Sequence, residues 1–156
     1  MAFELTTQVN EVTQFIVVNI GEEQYGIDIK YIDNIVRMQS ITRVPKVPAY
    51  LKGVINLRGE VIPVMSLRIK MGLEYQEDNK DTRIIIIKTE GSGKIGLIVD
   101  AVKEVVALED EQIEKLPYDN SDENHFVGSV GKADGGLISL LDIGAVLAEK
   151  QPKEEA

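Results

Sequence analysis

Arg83-Ile84-Ile85-Ile86-Ile87-Lys88 is an unbroken isoleucine run bounded by charge. It is too short to make a convincing helix. β-branched side chains suit a pleated surface, so the run predicts a strand buried on both faces. Its neighbours read the same way. Phe15-Ile16-Val17-Val18 is apolar, as are 54–57 and 61–65, which are joined through Arg58-Gly59-Glu60. Short apolar segments follow at 95–99 and 102–108. Asp134-Gly135-Gly136 stands between 127–132 and 137–141, a strong hairpin signal. Pro63 inside an apolar run marks an edge strand or a bulge. Asp142 can N-cap one short C-terminal helix over 142–149, with Ile143, Val146 and Leu147 on one face and Gly144 weakening it.

The segments recur. At a shift of 70 positions Gly26 falls on Gly96, Ile27 on Leu97, Ile29 on Val99, Ile32 on Val102, Ile35 on Val105 and Val36 on Val106. Upstream, Phe15, Ile16 and Val17 fall on Ile85, Ile86 and Ile87. Later the shift grows to 76, placing Ile62, Val64 and Met65 on Ile138, Leu140 and Leu141. A repeat of this length, filled with short strands, predicts two similar small β-barrels.

Composition narrows the chemistry. Tryptophan is absent and aromatics are 5%, so the core must be aliphatic. With no cysteine, disulfides and thiolate metal sites are excluded. Residues 1–13 carry Glu4 and Glu11, no Lys or Arg and no apolar run, which does not read as a signal peptide. No apolar run approaches a membrane span. A net charge of -9 argues against a nucleic-acid partner. The charge is uneven: residues 109–124 hold seven acids and one base, whereas residues 41–70 hold six bases and one acid. The acidic run reads as a solvated loop. The basic stretch opposes the sign of the whole chain.

Catalytic and ligand motifs are lacking. His125 is the only histidine and has no cysteine or second histidine to complete a site. Gly91-Ser92-Gly93-Lys94 fails the phosphate-loop spacing, with Ile95 where Ser or Thr should stand, and reads as a hairpin turn. The acidic run at 119–124 lacks the central glycine and closing glutamate of a calcium loop. No serine sits in G-x-S-x-G. No catalysis, cofactor or metal is expected.

The densest constellation is Leu51-Lys52-Gly53-Val54-Ile55-Asn56-Leu57-Arg58-Gly59-Glu60-Val61-Ile62-Pro63-Val64. Gly59 can supply the positive φ of a tight turn, and Asn56 can hydrogen-bond local backbone. Arg58 at the turn offers five donors in a planar fork, suited to partner carboxylates or carbonyls. The alternative is an internal pair with Glu60, worth little on a surface. Spacing leaves these two readings even.

This stretch from Tyr50 to Val64 resembles the signature of CheW-like domains. So do Glu23-Gln24-Tyr25-Gly26-Ile27-Asp28-Ile29 and Gly96-Leu97-Ile98-Val99-Asp100-Ala101-Val102. The resemblance runs from about Gln14 to Leu147 in order and spacing. It implies a mainly β fold of two five-stranded SH3-like barrels sharing a hydrophobic core, with one short C-terminal helix. The expected organisation is an N-terminal segment at 1–13 and one domain at 14–148. Within the domain, a first barrel covers about 14–82, a second about 83–141, and a helix 142–149; a charged tail occupies 150–156.

The resemblance also implies a function. The family are non-catalytic adaptors in the cytoplasm, associated with receptor arrays at the inner face of the membrane. They bind the cytoplasmic tip of methyl-accepting chemotaxis receptors and the regulatory domain of the histidine kinase CheA. Ile32, Lys52, Gly53 and Arg58 match the receptor-contacting positions, with Asn56 supporting the turn. Ile29 and Asn34 match the kinase-facing side. Core packing is the competing reading for Ile29 and Ile32. A kinase regulatory-domain homologue would follow phosphotransfer and catalytic domains, for which a chain starting at Met1 has no room. A scaffold of a chemosensory pathway with another output is the remaining alternative.

Overall fold

The computed structural model describes residues 11–89, 91, 93–117, 126–133 and 135–147. Among these residues eleven strands follow one another: β1 (Val12–Ile20), β2 (Glu23–Asp28), β3 (Ile32–Arg37), β4 (Leu51–Leu57), β5 (Glu60–Ser66), β6 (Arg83–Thr89), β7 (Gly93–Val99), β8 (Ala101–Glu109), β9 (Ile113–Lys115), β10 (Val127–Ala133) and β11 (Gly136–Leu141). Two short helices, α1 (Leu67–Lys70) and α2 (Ile143–Leu147), follow β5 and β11. A 3-10 turn, Ile29–Tyr31, links β2 to β3. The segment 1–10, His125 with the acidic run at 119–124, Ser92, Asp134 and the tail lie outside the described residues.

The strands form a six-stranded sheet in the order β8-β1-β2-β11-β10-β9 and a five-stranded sheet in the order β3-β6-β7-β5-β4. Each sheet curls. In the first, a side chain at Gly131 of β10 would collide with Leu108 of β8, two strands that are not neighbours in the sheet order. In the second, the chain leaving β3 turns back to β4, where Thr42 and Val54 exchange backbone hydrogen bonds of 2.8 and 2.9 Å. The mainly β reading, with two barrel-like sheets, holds.

The division at residue 82 does not. The six-stranded sheet takes β1 and β2 from the first half, and the five-stranded sheet takes β6 and β7 from the second. Each half lends its leading hairpin to the other. The joins are parallel pairs, β11 with β2 through Leu140 and Gly26, and β5 with β7 through Val64 and Gly96. Both joins need glycine. A Cβ on Gly26 would lie 2.8 Å from Leu140 Cδ2, and one on Gly96 would lie 2.8 Å from Val64 Cγ1 and 2.7 Å from Ile84 Cγ2.

Alternation along β1 and β6 explains the core. Phe15 and Val17 point into the six-stranded sheet's own apolar cluster with Leu108, Ile138 and Leu140. Ile84 and Ile86 point into the other sheet's cluster with Ile55, Ile62 and Val64. The intervening residues Ile16, Val18, Ile20, Ile85 and Ile87 meet in a third cluster between the sheets, with Ile27, Met65, Leu97, Val99 and Val146. Successive side chains leave opposite faces of a strand, so a strand between two cores must be apolar throughout.

The repeat is real but its upstream register is 69. Val17 pairs with Gly26 and Ile86 pairs with Gly96, so Val17 corresponds to Ile86 rather than Ile87. The cause is turn length. Ile20 and Glu23 enclose two residues, whereas Thr89 and Gly93 enclose three. A slip of one residue would swap the two faces of the strand. The later shift of 76 is exact in register: both hairpins carry a bulge at the same place, between Leu51 and Gly53 and between Val127 and Ser129.

The same shift explains a helix the sequence did not announce. Ser66 corresponds to Asp142. Ser66 N donates to Tyr50 O at 2.7 Å, and Asp142 N donates to Phe126 O at 2.8 Å. Each side chain then caps a helical turn, Ser66 Oγ accepting from Ile69 N and Asp142 Oδ1 from Ala145 N, both at 3.2 Å. A four-residue turn is too brief to show apolar periodicity. The six-strand count likewise exceeds the expected five through β9, which is only three residues long.

With hairpins exchanged and the core shared, neither half is expected to fold alone. Urea unfolding followed by far-ultraviolet circular dichroism and by tyrosine fluorescence should therefore give one coincident transition. Ile85 is fully buried in the shared cluster. Ile85→Ala should lower stability by about 2–5 kcal/mol and shift both probes together. Two separated midpoints would contradict the shared core.

Candidate functional site

The β4–β5 hairpin closes over Arg58-Gly59, between the paired Leu57 and Glu60. Arg58 has φ 55 and Gly59 φ 84, the pair of positive values that matches a two-residue turn to the strand twist. Asn56 Oδ1 accepts from Gly59 N at 3.1 Å and fixes the turn. Arg58 is therefore held at an exposed tip. Among the described residues its guanidinium has no ion-pair or hydrogen-bond partner. Glu60 is engaged elsewhere, so the internal Arg58–Glu60 pair is not formed.

Glu60 Oε1 lies 3.2 Å from Lys94 Nζ, and Asp33 Oδ2 lies 3.5 Å from the same nitrogen. These three residues come from β5, β7 and β3. Lys94 lies on the face of β7 shared with Gly96, and Glu60 on the face of β5 shared with Ile62 and Val64. They therefore gather at the end of the five-stranded sheet's apolar interior. The hydrogen bond to Glu60 holds the Lys94 ammonium above the usual lysine range, with Asp33 adding to it and partial desolvation opposing it.

Lys52 and Gly53 stand at the opposite end of β4. Seven residues of strand separate the two ends, roughly 20 Å at the usual rise. Lys52 Nζ sits 5.1 Å from the centre of the Tyr75 ring. Gly53 is buried with φ 146, and a Cβ there would collide with the carbonyl oxygen of Thr42. It is the space that lets the returning chain pair with β4. Here an open groove of about 640 Å³ runs between residues 43–49 and 75–79, lined also by Ile41, Leu51, Ser66 and Ile98.

Ile29 sits on the 3-10 turn, 37% exposed and outside the three core clusters. Ile32 begins β3, half-buried, and packs against the shared core. Asn34 follows a bulge, and its Oδ1 accepts from Ile35 N at 2.8 Å. The strand directions bring Ile29, Ile32 and Arg58 to one end of the five-stranded sheet, with Asp33, Lys94 and Glu60 between them. The structure does not bring Lys52 and Gly53 to that end.

The basic stretch is not one patch. Arg68 Nη1 pairs with Asp100 Oδ2 at 2.7 Å, and the same oxygen accepts from Gly21 N at 2.8 Å. Arg68 Nε donates to Glu74 O at 3.0 Å. Lys70 lies 4.0 Å from the centre of the Tyr50 ring. Two of the six bases are thus structural. Asp33, Lys94 and Tyr75 also contact the candidate residues or lie among them, and sequence reasoning did not single them out for that place. Lys94 joins the rim only because β7 lies parallel to β5, a pairing with no local signal.

No group of three or more His, Cys, Asp and Glu that could hold a metal occurs among the described residues. The lysine of the glycine-rich turn, Lys94, faces carboxylates rather than a phosphate cradle. No helix among the described residues is long and apolar enough to cross a membrane.

Comparison with known proteins agrees with this architecture. The family model described as CheW-like domain matches residues 14–151. A chemotaxis protein CheW from Helicobacter pylori is 38% identical over 137 residues, covering 88% of this chain and 82% of that protein. One from Bacillus subtilis is 33% identical over 153 residues, covering 97% of each. The crystal structure of the scaffolding protein TtCheW from Thermoanaerobacter tengcongensis superposes with a TM-score of 0.77 at 37% identity, covering 85% of this chain and 90% of that one.

The two glycines of the β4–β5 hairpin should respond differently to alanine. Gly59→Ala meets no atom within 4 Å and pays only for its positive φ, about 1 kcal/mol. Gly53→Ala adds the collision with Thr42 and should cost on the order of 3 kcal/mol. Chemical denaturation of both variants checks the ranking; equal losses would remove the close approach as the reason for Gly53.

Proposed function

We propose that this chain, which belongs to the CheW-like domain family, is a chemotaxis adaptor that holds two partners at once. One is the cytoplasmic tip of a methyl-accepting chemotaxis receptor, the other the regulatory domain of the histidine kinase CheA. The match to a family of chemotaxis scaffolds spans nearly the whole described chain. The observation that carries the reading furthest is Arg58, a guanidinium with no ion-pair partner among the described residues, on a hairpin tip fixed by backbone geometry and by Asn56. A cation on a tip fixed in this way loses little backbone freedom on meeting a partner's carboxylate or carbonyl.

Ile32 and Arg58 form the receptor-facing end in this reading, and Lys52 extends it along β4. Gly53 contributes by shaping the backbone rather than by contact. Ile29 is the apolar contact offered to the kinase, with Asn34 on the adjoining edge strand. The work is binding in the cytoplasm beneath receptor arrays, without catalysis or cofactor.

Arg58→Glu should leave the fold intact, because the side chain is exposed and outside the core clusters. It should weaken binding to a receptor-tip fragment by about 2 kcal/mol, roughly thirtyfold, while affinity for the isolated kinase regulatory domain stays near wild type. Ile29→Glu should show the reverse preference once its melting curve confirms folding. Calorimetric titration of both variants against both fragments is the measurement. Undiminished receptor binding by folded Arg58→Glu, or loss of both partners together, would reject this assignment.

A further inference from the structure

We propose that Lys94 keeps Arg58 unpaired, by holding the Glu60 carboxylate that would otherwise neutralise it. The value of that free charge for a partner rests on the reading of Arg58 given above. Glu60 and Arg58 flank Gly59, so Glu60 is the nearest anion along the chain to the Arg58 guanidinium. Its oxygen instead lies 3.2 Å from Lys94 Nζ. Asp33, at 3.5 Å, draws Lys94 to the same spot from the far edge strand. The result is a division of charge at one sheet end: a cation held by two carboxylates, and at the same end a cation with none among the described residues.

Closing the end of the sheet does not explain this arrangement. The six-stranded sheet has the same build, and its equivalent positions are known from the two register shifts. Gln24 corresponds to Lys94, Lys103 to Asp33 and Gly136 to Glu60. No anion–cation triad can form there, yet the second sheet curls around its own cluster all the same. The triad is thus specific to the end that carries Arg58.

Three variants test the proposal in the intact chain: Lys94→Gln, Lys94→Arg, and Lys94→Gln combined with Glu60→Gln. Nitrogen NMR of the free protein reads the pairing of Arg58 through solvent exchange of its Nε–H and rotation about its Nε–Cζ bond. Lys94→Gln should slow both several-fold as Glu60 turns to Arg58. Lys94→Arg should resemble wild type. The double variant should return to wild-type values, because residue 60 no longer carries a charge to pair with Arg58. Titration with a receptor-tip fragment should follow the same order, with about a three- to fivefold loss for Lys94→Gln and recovery in the double variant.

Unchanged Arg58 signals in folded Lys94→Gln overturn the proposal. So does slowing that persists in the double variant, since Glu60 is then not the cause. If the NMR changes and reverts as expected while no variant alters fragment affinity, the control of Arg58 pairing stands and the assignment of Arg58 as a receptor contact fails.

Discussion

Everything in this structure depends on two strands being buried on both faces. β1 and β6 each send alternate side chains into a private cluster and into the shared one. Ile84 and Ile86 line one sheet, while Ile85 and Ile87 join Ile16, Val18 and Ile20 between the sheets. A strand with one wet face could not serve two cores. The exchange of hairpins follows, because β1 and β6 must lie where both clusters can reach them. The parallel joins at Gly26 and Gly96 are the geometric cost of that exchange, since a Cβ at either position would run into the packed side chains of Leu140 or of Val64 and Ile84.

This explains which parts of the fold the sequence revealed. The isoleucine run gave double-sided burial directly, because a short unbroken β-branched run bounded by charge suits a strand covered on both faces. The later repeat was visible because Ile62, Val64 and Met65 fall on Ile138, Leu140 and Leu141 at one shift. The sharing of hairpins between halves was hidden. Local periodicity shows that a strand is covered, not which half covers it. The upstream register was misjudged for a related reason. Phe15, Ile16 and Val17 are all apolar, so a slip of one residue against four isoleucines leaves no mismatch to notice. Only the unequal turns between Ile20 and Glu23 and between Thr89 and Gly93 fix it.

The candidate site divides along the same line. Residues whose role is local were legible: Asn56 bonding the turn, Gly59 supplying positive φ, Arg58 carried at the tip. Residues whose role depends on a distant strand were not. Lys94 reads as part of a glycine-rich turn and gains its meaning only from Asp33 and Glu60. Arg68 reads as one more base in a basic stretch. In space it is tied to Asp100 and, through that carboxylate, to the Gly21 amide in the turn of an exchanged hairpin. The apparent basic patch is in part the framework that holds the exchange together.

Comparison of the two halves then separates scaffold from specialised surface without any alignment. Where a position serves the fold, its counterpart is chemically alike: Gly26 and Gly96, Ile62 and Ile138, Val64 and Leu140, Tyr50 and Phe126, the capping Ser66 and Asp142. Where the halves part, the two sheets make different local demands. Lys52 has Gly128 as its counterpart, and Gly53 has Ser129, although the bulge is common to both. At Gly53 the extra demand is the returning chain at Thr42, which brings the 41–49 segment over β4 and opens the groove beside Lys52. The six-stranded sheet meets the same edge differently, with β9 pairing to β10 through Lys115 and Ser129. A duplicated scaffold that covers one edge with a short strand, and leaves a charged tip and an open groove at the other, has two unlike edges around one shared core. Two identical halves would offer any partner two equivalent places to bind, and this asymmetry leaves one.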